Sequence, residues 1–255
     1  MTLVLGYSNQ IAAATLSGGS WNASYPLTNL QNRYLSQKAR TTNALAASSV
    51  INLDLGAAQT IGVVALVAHN LTTSATVRIQ GSSAADQSVA LYDSTALAAY
   101  SGNDYALSFT AVSARYWRIS ISDTGNPAGY VQLGRVFIGW RFSPANNIDW
   151  NPKLAVESKT GVMESLGGPE YFDERTTRRL FTGEWSWLSD PEAYNFLLAI
   201  QRSHDVSREV YLIADDTDTN YRGIRNFLAR FRQLSPIEWP YVGQHTCGVE
   251  LGELL

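Results

Sequence analysis

Leu180-Phe181-Thr182-Gly183-Glu184-Trp185-Ser186-Trp187-Leu188, followed by Ser189-Asp190-Pro191-Glu192, is the stretch around which the chain is organised. Phe181, Gly183, Trp185 and Trp187 fall on one face and Leu180, Thr182, Glu184 and Ser186 on the other, the period-two pattern of a half-buried strand. The strand ends at a helix start. Ser189 and Glu192 have capping-box spacing, or Asp190 caps with Pro191 at the first helical position. Ala193, Phe196, Leu197 and Ile200 then recur at i, i+3, i+4 and i+7, which predicts a helix over 190–203 with one apolar stripe. Burying that stripe, at roughly 1.5 to 3 kcal/mol per large side chain, outweighs intrinsic helix propensity, so the helix is expected to lie on its own flanking sheet. Glu209 to Ala214 supplies the next strand.

The chain has 255 residues, enough for two domains of ordinary size. With a formal charge of -3 and 16% charged residues, it has no general attraction for nucleic acid or anionic lipid. No run of about 18 apolar residues occurs, so no membrane span is expected, and the first ten residues lack a basic leader segment. Cys247 is the single cysteine, which excludes an internal disulfide and reads as a small buried hydrophobe.

In the first half, Val50 to Leu55 alternates and stops at Gly56, and Ile61 to Ala68 is continuously apolar. Thr76 to Gly81 alternates again. Ala84 to Asn103 reads as a long loop with a short strand near Val89 to Tyr92. Ala114 to Ser122 and Tyr130 to Trp140 are two strong strands around a turn-rich stretch. Together these predict a β-sandwich of short strands. Asn52-Leu53-Asp54-Leu55-Gly56, Ala114-Arg115-Tyr116-Trp117-Arg118-Ile119 and Gly134-Arg135-Val136-Phe137-Ile138-Gly139 resemble the discoidin, or galactose-binding-like, jelly roll. The expected domains are 1–142, a discoidin-like sandwich, and 143–255, divided at the loop from Ser143 to Trp150.

Beyond that loop, Leu154 to Glu164 reads as a strand running into a turn at Ser165-Leu166-Gly167-Gly168-Pro169. Arg222 to Arg232 reads as an arginine-rich strand, broken by Ser235-Pro236-Ile237-Glu238-Trp239-Pro240 before a last strand from Gln244 to Leu251. This order of elements is similar to the tail-tube-like β-domain of bacteriophage minor and distal tail proteins. Leu166-Gly167-Gly168-Pro169-Glu170-Tyr171-Phe172-Asp173-Glu174-Arg175 and Leu234-Ser235-Pro236-Ile237-Glu238-Trp239-Pro240-Tyr241 resemble long-tailed phage tail proteins that carry a discoidin-like domain in front. The fold class is thus mainly β, a jelly-roll sandwich followed by a tail-tube-like β-domain with one packed helix. What the resemblance implies is a homo-oligomeric ring in the virion, hexameric or else trimeric, assembled in the bacterial host cytoplasm. Its partners are then the tail tube protein and tail-tip hub proteins.

No catalytic apparatus is visible. The serine-hydrolase elbow, the P-loop and the dinucleotide fingerprint are all absent. His69, His204 and His245 lack ligand spacing, and Asp216-Thr217-Asp218-Thr219-Asn220 fails as a calcium loop at Tyr221 and Phe227. Neither a cofactor nor a metal is expected. Jelly rolls of the family resembled recognise ligands through loops at one end. Aromatic faces with amide partners suit sugar rings, so Trp21, Tyr25, Asn70 and Tyr100 are candidates for binding a host cell-surface glycan. The plain alternative is that Trp21 and Tyr25 plug the end of the sandwich. Arg222, Arg225, Arg230 and Arg232 are candidates for pairing with acidic groups across a subunit interface, the alternative being solvated strand edges.

Overall fold

The computed structural model describes every residue except Met1, Tyr100, Ser101, Asn103, Trp150 and Thr219. The chain forms two compact units, Met1–Ser143 with Val210–Leu228, and Pro144–Glu209 with Ala229–Leu255. A continuous second domain over 143–255 is therefore corrected. Glu209–Ile213 follows in the same sheet path and also has a neighbour remote in sequence. It pairs with Val4–Tyr7, placing Leu212 opposite Leu5 and Ile213 opposite Val4. All five of its residues are buried, so it is covered on both faces rather than one.

The first unit is built on two antiparallel strands of 18 residues each, Val50–Val67 and Tyr105–Ser122. The two expected strands at 50–55 and 61–68 are one. The chain stays extended through exposed Gly56 to Ala58, and the pairing register shifts between Asp54 and Gln59 and again between Ile61 and Val63. Such bulges bend a strand, so both halves line the same core. Gly56 takes φ +76° there, and its N–H donates to Asp54 Oδ1 at 2.8 Å. Only glycine takes that backbone region without steric cost.

Around this pair, Arg135–Phe142 flanks the apolar half of Val50–Val67, and Val4–Tyr7 lies on its far side. Thr76–Ser82 flanks the second half of Tyr105–Ser122. Within the stretch expected as a long loop, Ala90–Asp93 and Leu97–Ala98 both pair with Thr76–Ser82. Ile51, Leu53, Val64, Leu66, Ile79, Trp117, Ile119 and Ile138 interdigitate in one core and are essentially inaccessible. This is the antiparallel jelly-roll sandwich that the alternating segments predict.

In the second unit Arg178–Leu188 lies between Lys153–Glu157 and Gln244–Glu253. Phe181 and Trp185 face inward as expected. A register shift between Trp185 and Leu188 then turns Trp187 out, half exposed, and Leu188 in. The segment at 235–240, expected only to interrupt the strands, contains a strand, Ile237–Tyr241, hairpinned onto Gln244–Glu253 across Gly243. Pro240 is tolerated because an edge strand can leave one donor unmade. Likewise Arg222 to Arg232 is not one strand. Arg222–Arg225 is a helical turn in which Asn226 N–H bonds Arg222 O, and extended structure begins at Phe227. Asp218 Oδ1 accepts from the N–H groups of Asn220 and Tyr221, the local capping that favours the turn.

The helix spans Pro191 to His204 and opens with a wide, π-type winding over Pro191–Leu198. Glu192 carries the capping-box bond, its carboxylate accepting from Ser189 N–H at 2.9 Å and from Ala145 N–H at 2.7 Å. Asp190 does not cap and instead meets His245. The wider winding retains Ala193, Leu197 and Ile200 in the buried stripe and moves Phe196 outward to 41% exposure. Gln201 anchors the helix to the sheet, donating to Ser235 O at 3.0 Å beside buried Cys247. Burial pushes that thiol up to about 11, so it stays protonated and unreactive.

Packing around Trp117 gives a direct check. A Cβ at Gly81 would lie 2.9 Å from the Trp117 ring, whereas one at Gly125 would meet nothing within 4 Å. Gly81→Ala is expected to destabilise by about 1 to 3 kcal/mol through overpacking, with Gly125→Ala close to neutral, as read by urea unfolding of the two variants.

Candidate functional site

Tyr25 sits at the start of the loop that leads into a short helical turn, Leu27–Gln31. Its carbonyl accepts from Arg40 N–H at 3.0 Å. Arg40 belongs to a two-residue strand, Ala39–Arg40, paired with Gln132–Leu133. This pairing seats the Arg40 guanidinium between two aromatic rings, 4.3 Å from the Tyr25 centroid and 4.1 Å from that of Tyr130. Arg40 Nε and Nη2 donate to Gln132 Oε1 at 3.2 and 2.8 Å. Among the described residues no carboxylate pairs with Arg40. The outcome is a ring, guanidinium, ring stack at one end of the sandwich, with Tyr25 39% exposed. An aromatic face beside a cation with unused donors is suited to a polyhydroxylated ring, which offers both a C–H face and acceptor oxygens.

Asn70 serves this cluster from behind. Its Nδ2 donates to Tyr130 O at 3.0 Å, and its Oδ1 accepts from Gln132 N–H at 2.7 Å. Asn126, itself buried, donates to Asn70 O at 2.9 Å. The Asn70 amide therefore positions Tyr130 and Gln132 rather than presenting free groups to a ligand. Trp21 forms a bridge with Thr41, next to Arg40, and its indole N–H donates to Gly18 O at 3.0 Å. Its partly buried ring packs against the hydrophobic core, as a plug does. Tyr100 lies outside the described residues. Three of the four candidates thus come together, with Tyr25 as the exposed face.

Arg40, Tyr130 and Gln132 are the members that sequence reasoning missed as a site. Arg40 stands in a polar loop stretch 90 residues from Tyr130, and no local spacing signals that a two-residue strand will join them.

The four arginines are not gathered into one patch. Arg222 donates to the Asp218 carbonyl, and Arg225 Nη1 lies 3.2 Å from the Asp218 carboxylate. Arg230 donates to Val206 O at 3.2 Å. Arg232 pairs with Glu157 and Glu250, each at 3.4 Å. All four have partners within the chain.

A groove of about 280 Å³ elsewhere in the first unit is lined by Asn52, Asp54, Gln87, Tyr116 and Trp117. Its Asp54 and Asn52 side chains are already committed, while Gln87 Oε1 is buried without a hydrogen-bond partner. Asp54 is held by Arg115 at 2.7 Å, which keeps the carboxyl below its ordinary range, and Arg118 donates to Asn52 at 2.8 Å. No helix of the described residues is long and apolar enough to cross a membrane.

No protein-family profile and no curated protein matches the sequence. Among solved structures, the lectin domain of lectinolysin in complex with Lewis B antigen is 18% identical, with a TM-score of 0.43. That match covers 52% of this chain and 96% of the lectin domain. A fucose-binding module of Streptococcus pneumoniae is 17% identical with a TM-score of 0.41, over 52% of this chain and 94% of its own. The family 32 carbohydrate-binding module of C. perfringens NanJ in complex with galactose is 13% identical with a TM-score of 0.43, over 54% of this chain and 99% of its own.

His69, next to Asn70, carries a measurable signature of this end of the sandwich. Its Nδ1 accepts from Leu71 N–H at 3.1 Å, and burial pushes the imidazole down to about 4. Since an unfolded histidine titrates near ~6.5, the unfolded chain binds the extra proton between those two values. Stability of the first unit is therefore expected to fall as pH drops from about 6.5 to about 4, by up to roughly 3 kcal/mol from this group. His204 is shifted in the same direction by burial, so the comparison is with His69→Asn, which retains an acceptor for Leu71 N–H. Denaturant midpoints of the variant are expected to lose most of the wild-type slope across that window.

Proposed function

We propose that this chain is a non-catalytic carbohydrate-binding protein that engages glycan at the Tyr25–Arg40–Tyr130 stack. The observation that carries the reading is a guanidinium held between two rings without a carboxylate partner, beside an exposed tyrosine face. A sugar ring stacks on Tyr25 and accepts hydrogen bonds from Arg40, while Gln132 and Asn70 hold both in place. The sugar-binding modules with similar folds lend support as company, not as identity. The class fits the lack of a general attraction for nucleic acid or anionic lipid, and of any nucleophile, base or phosphate cradle legible in the sequence.

The test uses the full chain on a glycan array, followed by titration calorimetry with the best hit. Tyr25→Ala and Arg40→Met are expected to weaken binding at least tenfold, because each removes a stacking or charge-assisted contact of order 1.5 kcal/mol or more. Asn126→Ala, further back, is expected to lower stability more than affinity. An array without a hit for the wild-type chain removes the reading.

A second reading is favoured by a different observation, the exposed apolar hairpin of the second unit. On it, the chain is a structural component of a bacteriophage tail tip, a closed ring of six copies, or else three, that joins the tail tube to tip proteins, with the jelly roll serving adhesion. The sequence resemblance in 166–175 and 234–241 is what points to a tail. The two readings are compatible, and mass measurement in solution addresses the second without reference to sugar. A monomer at every concentration counts against it.

A further inference from the structure

Between the strands Lys153–Glu157 and Arg178–Leu188 the chain leaves its sheet and makes a separate two-stranded ribbon, Gly161–Glu164 paired with Glu170–Asp173. Every residue of that ribbon is exposed. A two-stranded hairpin is marginal alone in water, and this one carries apolar side chains on both faces. Val162 opposes Phe172, and the next pair, Met163 and Tyr171, points the other way. Leu166 stands at the tip, fully exposed. A ribbon apolar on one face rests on a surface. One apolar on both faces is completed only by an embracing partner.

The same unit presents a complementary surface. The rings of Trp187 and Tyr241 stack with centroids 6.0 Å apart and planes within 3°. The Trp239 indole N–H donates to the Tyr194 hydroxyl, and both rings set their edges against His245. His245 Nε2 in turn meets Asp190 at 2.6 Å. The rings are thus fixed in place while Trp239 stays 68% and Tyr241 65% exposed, with Val242 fully exposed beside them. Fixed aromatic side chains lose little freedom on binding, which is why such residues anchor interfaces.

We propose that the 161–173 arm of one copy docks on the Trp187, Tyr194, Trp239, Tyr241 and Val242 surface of a second copy. Three observations select a second copy as the occupant. The areas match: the exposures of the five apolar side chains on each surface correspond to on the order of 800 Å², the roughly 800 Å² per partner of a standard interface. The arm does not rest on this surface of its own chain: it springs from the Arg178 end of the strand, and the aromatic surface begins at Trp187. Nine residues of strand separate them by roughly 30 Å, and the arm's own exposure shows that it touches no such surface of its own chain. Finally, both surfaces lie on one chain at opposite ends of one strand, so the contact can repeat head-to-tail, the type that closes into a ring when the rotation permits. The inference deepens the assembly reading above and rests on it, and it is independent of sugar binding.

The test is sedimentation velocity and light scattering on the full chain from about 1 to 100 μM, the range in which an interface of this size is read. The wild type is expected to associate. An arm variant, Tyr171→Ala with Phe172→Ala, and a surface variant, Trp239→Ala with Tyr241→Ala, are each expected to weaken association at least a hundredfold. The arm variant retains an intact surface and the surface variant an intact arm, so an equimolar mixture is expected to form dimers and nothing larger. Loss of folding in one variant fails that mixing test and is separated from it by the circular dichroism of each variant alone. If the wild type associates and both variants associate unchanged, the arm contact is overturned and assembly stands. If the wild type is monomeric throughout, both are overturned. Capture of glycan by the Trp239 and Tyr241 surface, with no self-association, assigns that surface to a ligand and also overturns the proposal.

Discussion

The bend in the paired strands Val50–Val67 and Tyr105–Ser122 is the constraint on which the first unit depends. A straight pair of 18 residues spans about 60 Å, far longer than one core. By slipping register twice, the pair wraps, and its two halves supply Ile51, Leu53, Val64 and Leu66 from one strand and Trp117, Ile119 and Ile121 from the other to the same interior. Everything outside follows from that wrap. The short strands at 76–82 and 135–142 have only the outer edges of the pair on which to add. The loops at one end are drawn into a rim, where Ala39–Arg40 meets Gln132–Leu133.

That rim shows how a rigid frame makes a binding surface from unremarkable residues. Neither Arg40 nor Tyr130 is distinctive alone. Two backbone pairs fix the strand that bears Arg40 against the one that follows Tyr130, and the Asn70 side chain satisfies the donor and acceptor that this short pairing leaves over. The guanidinium is held flat between rings with its charge unneutralised. The arrangement is held at the backbone of both rings, by the Arg40 N–H on Tyr25 O and the Asn70 amide on Tyr130 O.

The legible parts of the fold were those set by local period. Alternation in Val50 to Leu55, Thr76 to Gly81 and Leu180 to Trp185 gave the right faces, since a two-residue repeat needs no knowledge of the partner strand. Local reading failed where a partner decides. Trp187 turns out because its strand carries one more residue than Gln244–Glu253 between the Trp185–Cys247 and Leu188–His245 pairs, and Ile237–Tyr241 is extended, despite Pro240, because a hairpin across Gly243 pairs it. Glu209–Ile213 continues the sheet path as its position suggests, but its other neighbour lies more than 200 positions earlier, a choice written in no window of sequence. At the candidate site, Tyr25 was legible as an exposed ring in a loop. Asn70 was legible as an amide but not as a brace, and the Arg40 stack was not legible at all, for the same reason of distance.

Each unit buries aromatic residues in its core, and the second also holds exposed rings fixed together in a cluster. In the first, Trp117, Tyr105 and Phe137 are 2% exposed or less, as a finished core demands. In the second, Trp185 is buried in the same fashion, yet Tyr171, Phe172, Trp187, Trp239 and Tyr241 are all more than half exposed. Leaving such side chains in water forfeits about 1.5 to 3 kcal/mol each relative to burial, far more than any gain from the loops that carry them. Isolated apolar residues on a surface need no account, but a fixed aromatic cluster and a two-faced apolar ribbon within one small unit are two separate patches, each of the kind that marks interaction. The first unit is complete as a fold and presents one modest site at its rim. The second reads as half of an interior whose other half lies on another surface.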